Sequence, residues 1–167
     1  MRSDAADLSE ILAVGTKTKR DALVLIDLDN VQIPPSRRQL RALIGTARSR
    51  CNGRELRVVA AGNAQTCAKF ADLCRDLGIE LMRCSRRPNA ADRALVALAG
   101  EAVAANPRTK VIVVSADAMF ARLKPALVVL PAWQREMVAA ALTAAADQIV
   151  LVDIRRSAHR AGRRRRR

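Results

Sequence analysis

One rhythm restricts the fold of this chain more than any other feature. Short, mainly apolar runs alternate with longer segments whose apolar residues recur at helical spacing. Ala22–Ile26 is a continuous apolar run that ends at Asp27. A strand covered on both faces reads this way, and such strands belong to parallel sheets flanked by helices. Similar short runs lie at Leu56–Ala61 and Ile79–Met82, each with one charged residue, and at Val111–Val114 and Ile149–Val152. Helices are expected between them over 37–50, 64–77 and 90–105. In the first, Leu40, Leu43, Ile44 and Ala47 share one face. Gly78 stops the second, because glycine takes the left-handed position past a helix end without strain. Asn106-Pro107 stops the third. The stretch 118–146 reads as helical, interrupted at Pro125 and Pro131. The expected fold class is α/β: a three-layer α/β/α sandwich on a central, mostly parallel five-stranded sheet with right-handed crossovers.

The 167 residues suit one such domain. The expected division is an N-terminal helix and linker over 1–20, the α/β domain over 21–154, and an arginine-rich tail over 155–167, disordered by composition. That tail holds eight arginines and no acid; without it the formal charge falls from +14 to +6. A chain this basic attracts phosphate polyanions. RNA or another nucleic acid is therefore the expected partner, through the tail and a basic rim, and a homodimer is left open. Aromatic residues make up 2% of the chain, with one Trp and no Tyr, so a base-stacking platform is not expected. Phe120 and Trp133 read as core. The four cysteines form no CxxC pair, which argues against zinc; Cys67 and Cys74 read as small buried hydrophobes. A polar start, no apolar run near the ~20 residues a bilayer needs, and unpaired thiols lead to an expectation of no membrane and a cytoplasmic location.

In open α/β sheets, ligands bind beyond the carboxyl ends of the strands. The first strand ends in Asp27-Leu28-Asp29-Asn30, Asn89 and Asp92 open the third helix, and Ser115 and Asp117 follow the fourth strand. Carboxylates gathered on one rim repel unless a cation neutralises them. Mg²⁺ or Mn²⁺ favours oxygen ligands and keeps several waters. Arg37, Arg38, Arg86, Arg87 and Arg93 lie near this rim in the chain. Plain structural roles compete at each position. Asp27 and Asn30 can each form an Asx turn, and Asp29 a turn or surface residue. Asp92 falls at N3 of a helix capped by Asn89. Asp117, with Ser115, can cap the next helical segment. Arg86 and Arg87 can be a solvated loop.

Val24-Leu25-Ile26-Asp27-Leu28-Asp29-Asn30-Val31 resembles the first motif of the NYN domains, a branch of the PIN-like nucleases. Asn89-Ala90-Ala91-Asp92-Arg93-Ala94-Leu95 resembles their middle motif, and Val111 to Phe120 their third, with Ser115, Asp117 and Phe120 matching. The resemblance covers roughly residues 22–124. It implies a PIN-like fold and hydrolysis of RNA by Mg²⁺ or Mn²⁺ held on Asp27, Asp92 and Asp117, with Asn30 and Ser115 as orienting groups. The chain departs from the pattern at Met119 and Leu98, where the family carries further acids, and at Leu28, where it carries a small residue. Those departures leave an acid set for one metal and raise the alternative of an RNA-binding module with a weakened site. Asp27-Leu28-Asp29-Asn30-Val31 also resembles the opening motif of haloacid dehalogenase-like phosphatases, with Asp27 as nucleophile and Asp29 as acid. That family would use Ser115 and Lys124 as well, but it needs a later acidic pair that this chain lacks.

Overall fold

The computed structural model describes residues 21–29 and 37–153. The expected N-terminal helix, Asn30 and the arginine tail lie outside the described residues. In chain order the elements are β1 (Asp21–Asp27), α1 (Arg37–Ser49), β2 (Glu55–Asn63), α2 (Ala64–Leu77), β3 (Glu80–Cys84), α3 (Ala90–Ala105), β4 (Lys110–Val114), a 3-10 segment (Ala118–Leu123), β5 (Leu127–Pro131), a second 3-10 segment (Ala132–Met137), α4 (Ala140–Ala145) and β6 (Ile149–Val152). The strands form one sheet in the order β3-β2-β1-β4-β5-β6, and every pairing is parallel.

The sheet has six strands, not the five expected. The additional strand, β5, lies inside the stretch read as helical. Its residues Leu127-Val128-Val129-Leu130-Pro131 are all buried. So short an apolar run cannot be told from a helix segment by periodicity. The alanine-rich flanks pull the reading toward helix, but only the 3-10 segments and the six-residue α4 form there. β-Branched Val128 and Val129 suit a pleated, two-sided burial, and Pro131 stands last in the strand. Among the described residues the other expected strands and helices form close to where the sequence places them, with Gly78 closing α2 at φ 65°.

Strand alternation sorts the core into two layers. Ala22, Val24, Ile26 and Leu28 face α1 and α2, meeting Leu40, Leu43, Phe70 and Cys74. Leu23 and Leu25 face the opposite layer, with Leu95 of α3, Phe120 and Leu142 of α4. Leu28 is buried in the first layer, so the bulk that departs from the family pattern fills core space. By the same alternation Asp27 belongs to the α3 side. Chain connections run outward from β1 in one direction and from β4 in the other, so the crevice opens between these two central strands, where such folds hold their ligands.

Candidate functional site

Asp27 is the last residue of β1 and is 2% exposed. Its Oδ1 accepts the amide N–H of Asp29 at 3.1 Å, which is the Asx turn expected at a strand end. Ile26 pairs with Val114 of β4, so Ser115 follows alongside Asp27 on the next strand. Ser115 is buried, and its Oγ accepts the N–H of Asp117 at 3.2 Å. Asp117 in turn accepts the N–H of Met119 at 2.7 Å, starting the 3-10 segment. The capping role foreseen for Asp117 and Ser115 is thus real, and it fixes the Asp117 carboxylate at the rim.

Asp92 sits differently. It lies in the first turn of α3, is 5% exposed, and its buried Oδ1 has no hydrogen-bond partner. A buried carboxylate oxygen without a partner is costly. The helix N-terminus offsets part of that cost through its dipole. Asn89 does not share the work as expected: it takes a left-handed conformation at φ 57°, and its side chain makes no capping bond.

These acids meet in one cleft of about 270 Å³, whose lining includes Asp27, Asp29, Asn63, Asp92 and Asp117 together with Arg86 and Arg87. The three expected acids therefore share a cleft. Among the described residues, no three His, Cys, Asp or Glu side chains close round a single ion position. The arrangement is an open, all-oxygen wall rather than a preformed cage. Its negative charge reaches Cys84, half-buried at the end of β3: burial chiefly, then Cys67 and the Asp29 and Asp27 carboxylates, push that thiol's pKa up.

The arginines divide. Arg86 and Arg87 line the cleft, as the sequence reading requires. Arg93 turns its guanidinium to the Pro88 carbonyl at 3.3 Å and braces the loop before α3. Arg37 forms an ion pair with Asp76 of α2. Arg37, Arg38 and Arg93 are not among the described residues that line the cleft. Leu98, at a position where the family carries an acid, packs against the α3-side core.

Two residues gain a role the sequence did not assign. Asp29 holds Asn63 through both its amides. Asn63 Oδ1 then accepts the N–H groups of Gln65 and Thr66 and caps α2. Gly62 leaves room for this approach, since a Cβ there would lie 3.2 Å from Asp29 Oδ1, a tight contact. An Asp29 so engaged is poorly placed as the proton donor of a phosphatase. Trp133, read as core, is 44% exposed; Phe120 is fully buried, as read.

No helix of the described residues is long and apolar enough to cross a membrane. No curated protein matches the chain. The family model of the NYN domain matches residues 21–153. With the parallel sheet, the crevice between β1 and β4 and the acids of all three motifs along one cleft, that match shows that the chain belongs to the NYN domain family of the PIN-like nuclease superfamily.

Proposed function

We propose that this domain is a metal-dependent endoribonuclease whose centre is the cleft shared by Asp27, Asp92 and Asp117. The observation that carries the reading is the Asp92 Oδ1 atom, buried and unpartnered, in the wall of that cleft. Such an oxygen is a site of unmet negative charge, and a cation would meet it. The donor set is entirely oxygen, which suits Mg²⁺ or Mn²⁺ with several retained waters. When bound, the ion would supply Lewis acidity and lower the pKa of an attached water.

The chain's own residues have separable tasks. Asp27, Asp92 and Asp117 would hold the cation. Ser115 keeps Asp117 in place through its backbone N–H. Asn30, next to Asp29, would orient the attacking water. Arg86 and Arg87 would hold the phosphates that flank the scissile bond, offsetting repulsion between RNA and the acidic wall. The outcome would be hydrolysis of a phosphodiester within an RNA strand.

The test is cleavage of structured and single-stranded RNAs with Mn²⁺ by the wild type, beside Asp27→Asn and Asp117→Asn. Cleavage by the wild type alone is the expected result. Wild type and both variants behaving alike would end the enzyme reading. RNA binding that is indifferent to divalent ions, without cleavage, would instead identify an RNA-binding module, the reading that Met119 and Leu98 favour.

A further inference from the structure

A second cleft, of about 360 Å³, opens on the other side of Asp27 and Asp117. Both acids line it, together with Leu40 and Leu43 of α1 and with Trp133, Gln134 and Met137 from the second 3-10 segment. We propose that this cleft receives one unstacked base of the RNA strand whose backbone lies in the acidic cleft, with Trp133 as the stacking surface and Gln134 as the group that reads the base edge. The inference rests on the RNA reading of the neighbouring cleft and adds a site of base recognition to it.

Three observations support this occupant. Trp133 is the chain's one tryptophan and is 44% exposed, beside Met137 at 42%. An aromatic face left open at a strand-end crevice offers a base its preferred contact. Gln134, its neighbour, is 6% exposed and forms no side-chain hydrogen bond to the described residues. A carboxamide that has no partner among the described residues, on a largely buried residue in the lining of a cavity, presents a donor and an acceptor side by side. That is the pattern which pairs with a base edge. The third observation is position. Asp27 and Asp117 belong to both clefts, so a strand crossing the acidic wall has its next base at the mouth of the apolar one. The volume lies in the range of small-ligand sites, about 300–1,000 Å³.

Trp133 reports on this cleft alone, because the chain has no second Trp and no Tyr. The experiment titrates metal-free protein with short homopolymeric oligoribonucleotides of A, C and U and follows tryptophan emission. Saturable quenching with unequal Kd values among the three is expected. Gln134→Leu, similar in volume and checked by thermal melting, should bring those Kd values within about twofold of one another. Trp133→Ala, followed with end-labelled RNA, should weaken binding about fivefold or more, and Trp133→Phe should recover most of the loss. Emission unmoved by any oligonucleotide, in protein that still cleaves RNA with Mn²⁺, overturns the base site and leaves the nuclease reading intact. Base-selective quenching without cleavage supports the base site while removing the nuclease reading. Emission that shifts with protein concentration instead of RNA would make this face an interface between two copies of the chain, and would also overturn the proposal.

Discussion

Asp29 and Asn63 are joined by both ends of Asn63: its backbone N–H reaches the Asp29 carboxylate at 2.9 and 3.2 Å, and its Nδ2 donates at 2.9 Å. The contact ties the turn after β1 to the end of β2 and to the cap of α2, so one carboxylate sets the shape of the acidic cleft's floor. Asp29→Ala should lower stability by about 1 kcal/mol, and Asn63→Ala by a similar amount. The double variant should lose less than the sum, because both substitutions break the same link. Urea unfolding of the four proteins measures this.

Asp92 separates stability from function. Asp92→Asn removes a buried negative charge that lacks a partner. Metal-free protein should therefore gain about 1 kcal/mol, a rise of roughly 3 °C in Tm. Mn²⁺ should raise the Tm of the wild type and do so less in Asp92→Asn, since a ligand stabilises only the state that binds it. Thermal melts with and without Mn²⁺ decide. A variant less stable than wild type without metal would show that the carboxylate is satisfied by other means.

The Arg57–Glu80 pair joins β2 to the edge strand β3 through two bonds of 2.8 and 2.7 Å. The hydrogen bond from Arg57 is the main reason the Glu80 carboxyl lies below its ordinary pKa. A depressed carboxylate stabilises the fold above its unfolded pKa and loses that contribution as pH falls through the folded value. Both side chains are about half exposed, so the contribution is small. Glu80→Gln should cost less than about 1 kcal/mol at pH 7 and almost nothing at a pH where Glu80 is protonated. Denaturant midpoints at the two pH values test the sign.

Deleting residues 155–167 removes eight arginines. Affinity for RNA should fall at low salt. The slope of log K against log salt should flatten by roughly 0.7 for each single-strand phosphate that the tail no longer neutralises. Binding titrations over a salt series measure the slope. An unchanged slope would show that the tail does not engage phosphates.

Much of the fold was legible in the chain because its signals are local. The run Ala22–Ile26, the face Leu40-Leu43-Ile44-Ala47 and the stop at Gly78 each follow from a few neighbouring residues, and each forms where expected. β5 was hidden because its apolar run is brief and its alanine-rich flanks favour helix; only pairing with β4 and β6 makes it a strand. Trp133 reads wrongly as core for a related reason, since an aromatic residue by itself carries no mark of the side it faces.

The sequence alone determined which groups the rim could offer: acids after β1 and β4, an acid opening α3, and arginines beside them. Tertiary structure decided which of those groups keep company. Parallel pairing put Ser115 beside Asp27, and the turn of α3 buried Asp92 with one oxygen unpartnered. An ion pair drew Arg37 to Asp76 of α2, away from the residues of the acidic cleft. Strand register and helix packing join residues dozens of positions apart, and no local pattern encodes the distance between them.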